Sequence, residues 1–186
     1  METATMCSLE MVHMTDSMHS SFETDVVIIG AGQSGLVAGH ALKRRGVTNI
    51  LVLDSNPEGY EGVWETYARN YEIRSPKDIM GSDLGLPSLT IQSFFVAKHG
   101  AEAWNQIKRV PRLDWMDYLR WYRRIADLPI VNDVRIVDID YDATGVTLTS
   151  DSGKTYRTRL AILANGLALD LHFDGLAIAQ DAAHGL

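Results

Sequence analysis

Six residues, Gly30-Ala31-Gly32-Gln33-Ser34-Gly35, constrain this chain more than any other part of it. They follow directly on TDVVII at 24–29, a short apolar run that reads as a buried parallel strand. They open into QSGLVAGHALKRRG, which reads as a helix: Leu36, Val37, His40, Ala41 and Leu42 can form its buried face. Lys43, Arg44 and Arg45 fall in the last turn, where the helix dipole favours cations, and Gly46 is a natural stop. NILVLD at 49–54 restores a strand pattern. Strand, helix and strand within about 30 residues make a βαβ unit with a right-handed crossover. The chain is thereby committed to the α/β class with a parallel sheet.

Each glycine of GxGxxG has a geometrical task. Gly30 permits the tight turn, Gly32 lets a diphosphate approach the backbone, and Gly35 lets helix and strand pack closely. Around Gln33 and Ser34 the unpaired N–H groups of the helix start supply donors to an anion. Asp54 ends the next strand, 24 residues beyond Gly30, where a carboxylate can accept hydrogen bonds from a ribose diol. Ser55 follows it as a further cofactor-side candidate. A glycine-rich packing turn in an unrelated α/β domain is the plainer alternative, but strand, motif, helix and acidic residue in this order favour dinucleotide binding. The fingerprint alone does not separate NAD from FAD. Asp54 disfavours a ribose 2′-phosphate, so NADP is the least suited occupant here.

From Ser55 to Pro111 the pattern is irregular, with helical turns expected near 75–81 and 93–107. DWMDYLRWYRRIA at 114–126 is the clearest helix, with Asp114 as its cap and Asp117 three positions on. Trp115, Tyr118, Leu119, Tyr122 and Ile125 make its apolar face, read as packing rather than a cofactor box. Arg120, Arg123 and Arg124 are expected at its periphery. Past Pro129 the period changes to two. VRIVDIDY, GVTLTS and TYRTR, separated by turn residues, predict a three-stranded antiparallel β-meander, and RLAILANG at 159–166 predicts a return to the buried sheet.

Composition removes several classes. A net charge of −7 excludes a general nucleic-acid surface, which needs clustered positive charge. Cys7 stands alone, so neither an internal disulfide nor a CxxC redox pair is available, and the cytoplasm is the expected compartment. No stretch approaches the roughly 20 apolar residues of a membrane span. Residues 1–22 hold five of the seven methionines and no Lys or Arg, and are expected to be a disordered leader. Cys7, His13 and His19 within it are too loosely spaced to indicate a metal site. Residues 167–186 form an unassigned tail.

Further segments carry a resemblance. EGVWETYARNYEIRSPKD at 61–78 resembles the region after the second strand in class B flavoprotein monooxygenases, a group spanning flavin-containing, Baeyer–Villiger and N-hydroxylating enzymes. Their Gly-x-Trp element lies beside the flavin and is matched here by Gly62, Val63 and Trp64. ILANG at 162–166 resembles the Ala-Thr-Gly element that closes the first FAD-domain segment, with Asn165 in place of threonine before Gly166. The meander between them suits the same architecture.

The resemblance covers residues 24–166 and implies a Rossmann-like FAD-binding domain at 23–166, incomplete relative to a two-dinucleotide-domain architecture. It implies FAD as cofactor, with NADPH serving the complete enzyme through a second domain. The implied chemistry is hydride transfer from NADPH to FAD, then oxygenation of a small organic substrate through a C4a-(hydro)peroxyflavin. Trp64 is expected near the flavin ring, with ordinary packing as its alternative. Arg69, Arg74 and Lys77 are expected at the mouth, either arginine addressing a phosphate or the oxidised flavin, with a solvated loop charge as the plainer alternative for each of the three. No catalytic residue is assigned. A homo-oligomer or a complementing polypeptide is allowed, and turnover by these residues alone is not expected. Another FAD- or NAD-dependent oxidoreductase, or a non-catalytic dinucleotide-binding remnant or subunit, stays open.

Overall fold

The computed structural model describes residues 24–79 and 81–166. The expected leader at 1–22, with Cys7, His13 and His19, and the tail at 167–186 lie outside them. Six strands form one mixed sheet: β1 (Thr24–Ile29), β2 (Ile50–Leu53), β3 (Ile130–Val131), β4 (Ile136–Asp142), β5 (Gly145–Ser150) and β6 (Thr155–Leu163). Their order is β3-β2-β1-β6-β5-β4. β1 lies between β2 and β6, parallel to both, with Val27 opposite Leu51 on one side and Ala161 on the other.

Alternate residues of β1 serve opposite faces, as strand pleating requires. Val26 and Ile28 pack with Ile50, Val52 and Ala31 toward α1 (Gln33–Arg44). Val27 and Ile29 pack with Leu53, Ile136, Ile139, Leu148 and Tyr156 under the meander. A strand buried on both faces needs apolar residues at every position, which is why TDVVII does not alternate.

The antiparallel meander and the return to the parallel sheet are one element rather than two. β6 pairs antiparallel with β5 from Thr155 to Thr158, and parallel with β1 from Thr158 to Leu163. No Gly, Pro, Asn or Asp interrupts TYRTRLAIL, so nothing breaks the strand between its two pairings. β3 is a two-residue edge strand beside β2, too short for any periodicity to reveal.

The apolar face of α1 is narrower than expected, with Gly35, Leu36 and Gly39 buried and Val37, His40, Ala41 and Leu42 only partly so. The irregular excursion contains α2 (Ile91–His99) and α3 (Ala101–Gln106), divided at Gly100 with φ of +89°. Thr90 caps α2 by accepting from the Ser93 N–H at 3.1 Å. The helical turn expected near 75–81 is not a helix; the Ile79 N–H closes a turn on the Pro76 carbonyl.

The long helix α4 runs from Arg112 to Ala126. Pro111 takes the cap position, so Asp114 lies inside the first turn instead of capping it. Its carboxylate accepts from Lys98 at 2.8 Å and sits 2.7 Å from His99 Nε2. Burial alone would raise the Asp114 pKa, but those hydrogen bonds and charges outweigh it and hold the acid low. Trp115, Tyr118, Leu119 and Tyr122 are buried as expected, whereas Ile125 is 49% exposed and Ala126 takes the inward position instead. Tyr118 donates its hydroxyl to the Leu89 carbonyl at 2.8 Å. Arg120 and Arg123 are not peripheral: both grip the loop after β2.

Candidate functional site

The three motif glycines answer to different neighbours. Gly30 has φ of +105°, and a β-carbon there would lie 2.6 Å from the Ala164 carbonyl oxygen. A β-carbon on Gly35 would lie 1.8 Å from the Gly30 carbonyl oxygen. Both positions are demanded by the fold itself. Gly32 has φ of −67° and ψ of −171°, a backbone any residue can adopt. A β-carbon on it would meet only Gly62, whose Cα is 3.3 Å away. The absence of a side chain at position 32 therefore lets the glycine turn and the Gly62 loop pack backbone against backbone.

α1 starts beside that contact, with Gly32 at its cap position. It has no side-chain cap and no acidic residue in its first turn. Its first intrahelical bond runs from the Leu36 N–H to the Gly32 carbonyl, which leaves the preceding N–H groups as donors without helical acceptors. Ser34 is exposed there, and Gln33 reaches the adjoining cavity.

Asp54 is buried at the end of β2. Its Oδ2 accepts from the Ala31 N–H at 2.6 Å, while Oδ1 accepts from the Asn56 N–H at 2.8 Å and the Asn56 amide at 3.1 Å. The expected ribose partner thus has a structural task as well: it ties β2 to the glycine turn. A carboxylate offers about four acceptor positions, so roughly one remains for a hydroxyl.

Beside the turn lies a cavity of about 470 Å³, lined by Gln33, Val63, Trp64, Arg74, Lys77 and Trp115 among others. Trp64 stands edge-on to Trp115 at 6.1 Å between ring centroids, so it both packs and forms cavity wall. The Arg112 guanidinium donates to the Trp64 carbonyl and fixes that segment. Trp115 Nε1 is buried without a hydrogen-bond partner, a donor left over in a cavity wall. Lys77 donates to the Trp104 carbonyl at 2.5 Å.

The structure brings Gly30, Gly32, Gln33, Gly35, Asp54, Gly62, Val63, Trp64 and Asn165 around this turn. Asn165 arrives because the Ala164 N–H bonds the Ile29 carbonyl at 2.8 Å, and its own nitrogen would lie 3.1 Å from a β-carbon on Gly30. Gly166 follows at φ of +66°. Ser55 is exposed and outside the cavity lining. Arg69 is turned back on its own loop, donating to the Thr66 and Ala68 carbonyls, whereas Arg74 and Lys77 do border the cavity.

Two features escaped sequence reasoning. Trp115 was assigned to packing and also walls the cavity. Glu61 is only 4% exposed and joins a polar network behind Gly62. A charged residue between Tyr60 and Gly62 carries no local signal of burial.

A larger concavity, about 600 Å³, lies on the meander and is lined by Ile139, Tyr141, Val146, Arg159, Ala161 and Leu163 among others. It touches neither the glycine turn nor the start of α1, so the smaller cavity is the candidate site. Among the described residues no cluster of His, Cys, Asp and Glu could hold a metal, and no helix is long and apolar enough to cross a membrane.

Comparison with known proteins agrees with this geometry. A family model described as FAD-NAD(P)-binding matches residues 27–168. An FAD-dependent urate hydroxylase of Xanthomonas campestris pv. campestris is 49% identical over 145 residues, which are 77% of this chain and 31% of that protein. The FAD-bound cadaverine monooxygenase of desferrioxamine biosynthesis from Erwinia amylovora superposes with a TM-score of 0.59 at 18% identity, over 78% of this chain and 36% of that one. The bacillithiol disulfide reductase of Staphylococcus aureus gives 0.59 at 17% identity, over 78% of this chain and 39% of that one. At such identities the likeness is one of fold, and it spans enzymes of different chemistry. The chain spans about a third of the length of each of these proteins.

Proposed function

Because this chain belongs to the FAD-NAD(P)-binding family, we propose that residues 23–166 are the FAD-binding unit of a flavin-dependent monooxygenase. The observation that carries the reading is the uncapped start of α1 at the side-chain-free Gly32, where backbone N–H groups are left without helical acceptors. A diphosphate would accept from those N–H groups of the turn, with the helix dipole in favour. Asp54 has acceptor capacity for a ribose hydroxyl. Trp64, Val63, Gln33 and Trp115 bound the cavity in which a flat ring system would rest. Arg74 and Lys77 add positive charge at the rim, suited to an anionic ligand.

When bound, the flavin supplies the redox chemistry, taking electrons from NADPH and passing them to oxygen. The protein's part is to bind, orient and exclude water. Ile73, Val110 and Trp115 make the cavity floor apolar, which strengthens every polar contact inside it. For the whole protein we propose a small heteroaromatic substrate of the urate class, supported by the 49% identity to a urate hydroxylase. The single cysteine fits work in the reducing cytoplasm.

Equilibrium titration of the purified chain with FAD, NADH and NADPH tests the cofactor reading. The expected result is preference for FAD, with quenching of tryptophan emission that is reduced in Trp64→Phe. Tight binding of a pyridine nucleotide with none of FAD would overturn it.

A further inference from the structure

Behind the contact between Gly32 and Gly62 lies a hydrogen-bonded chain that reaches both loops. It starts on α4, where Arg123 Nη2 donates to Asn132 Oδ1 at 2.9 Å and Nη1 to Glu58 Oε1 at 2.5 Å. Asn132 Nδ2 donates both to Glu61 Oε1 and to the Asn56 carbonyl, each at 2.9 Å. Asn56 in turn bonds Asp54, and Asp54 accepts from Ala31 in the glycine turn. Glu61 Oε2 accepts from the Gly59 N–H at 2.9 Å. Arg123 Nε stands 3.3 Å from Glu61 Oε1, close enough to attract the charge but not aligned as a hydrogen bond. One branch therefore ends on the turn containing Gly32, and the other on the residue next to Gly62.

We propose that Glu61, held by Arg123 and Asn132, is a positioning residue that fixes how the Gly62 loop packs against Gly32, and so the placement of the glycine turn and the affinity for the cofactor diphosphate. This rests on the FAD reading above. A buried carboxylate is costly unless paired, and Glu61 has a cation and two N–H donors around it. Neutralising it to glutamine keeps the shape but turns one acceptor oxygen into an N–H donor. That donor must face either the Gly59 N–H or the Asn132 amide, both of which already donate. The loop then has to shift, and Gly62, in contact range of Gly32, shifts with it.

The test compares Glu61→Gln and Arg123→Lys with Arg124→Ala, an exposed arginine next in sequence. FAD dissociation constants, the visible circular dichroism of bound flavin and the melting temperature of the cofactor-free chain are measured for each. Glu61→Gln is expected to weaken FAD about tenfold or more and to change the flavin dichroism. Arg123→Lys, keeping the charge but losing the fork, falls between it and the unaltered chain, and Arg124→Ala leaves both readouts in place. If Glu61→Gln does not fold, Arg123→Lys decides. Unchanged affinity and dichroism in the folded variants overturns the proposal. So does a loss of affinity that only follows the melting temperature while the dichroism stays constant. An unaltered chain that binds no FAD instead overturns the cofactor reading before any variant is compared, and this proposal with it.

Discussion

Gly35 presses on Gly30 so closely that a single β-carbon would overlap the Gly30 carbonyl oxygen at 1.8 Å, while the same addition at Gly32 would meet only Gly62 at 3.3 Å. The motif thus separates into positions where the backbone allows no side chain at all and one where the constraint is milder. If the turn takes a phosphate, as proposed, the two constraints are experimentally separable.

Gly35→Ala is expected to destabilise the chain by roughly 3 kcal/mol or more, because the obstacle is backbone and cannot rotate aside. For a chain of this size each kcal/mol corresponds to about 2–4 °C in melting temperature. A thermal melt within a degree or two of the unaltered protein would show that α1 can slide away from β1, and the packing argument would fail.

Gly32→Val should divide its cost differently. Its backbone is extended, but a β-carbon would already stand 3.3 Å from Gly62, so the Gly62 loop has to give and the cofactor-free chain is expected to melt lower, though by less than Gly35→Ala. FAD affinity should drop about tenfold or more, equivalent to about 1.4 kcal/mol, because the added methyls crowd the turn that would take the diphosphate. Ser34→Ala, at an exposed position, should cost far less. Comparable losses in these two variants, measured by titration, would remove the steric role of Gly32.

The parts of this architecture that were legible in the sequence were those whose cause is local. TDVVII, GAGQSG and Asp54 reveal a βαβ turn because strand burial, tight turning and a terminal carboxylate each leave a mark within a few residues. The period-two runs past Pro129 likewise revealed the meander. What stayed hidden depends on distant partners. The continuity of β6 through Thr158 follows from β1 and β5 sharing that strand from opposite sides. The cap of α4 was misplaced because Asp114 is engaged by Lys98 and His99 from α2. Arg120 and Arg123 looked like solvated charges, and only the folded loop at 58–65 shows their acceptors. Arg69, conversely, looked available to a ligand but closes on its own loop.

The meander shares a core with β1, the strand that leads into the glycine turn. Leu148 on β5 is fully buried and packs with Val27 and Ile29 of β1 beneath it. Leu148→Ala is expected to cost about 2–5 kcal/mol through lost burial and the cavity left behind. Urea unfolding should show a lower midpoint with an unchanged slope. A smaller slope with two transitions would mean that the meander unfolds by itself.

The last expectation concerns pH and the contact between His40 on α1 and Tyr122 on α4. His40 Nδ1 lies 2.7 Å from the Tyr122 hydroxyl, with the rings edge-on at 5.5 Å. Burial first, then the charges of Arg44 and Lys43, lower the His40 pKa below its ordinary value of 6.5. Burial first, then Asp83, pushes Tyr122 up to about 12, with Arg44 working against the shift. Near neutral pH both groups are therefore uncharged and share one hydrogen bond. When the pH falls through about 6.5, the unfolded chain takes up a proton that the folded chain refuses, so stability declines. The decline from this residue ends below the folded pKa, where both states are protonated. At the alkaline end the unfolded tyrosine ionises first, so stability is also lost as the pH rises from about 10 through 12. Urea midpoints measured between pH 5 and 11 for the unaltered chain and His40→Gln will show whether this pair is responsible. The variant should lose part of the acid-side slope while the alkaline side, which belongs to Tyr122, persists. An identical acid-side slope in both proteins would place the linkage on other groups and leave the His40–Tyr122 contact without influence on stability.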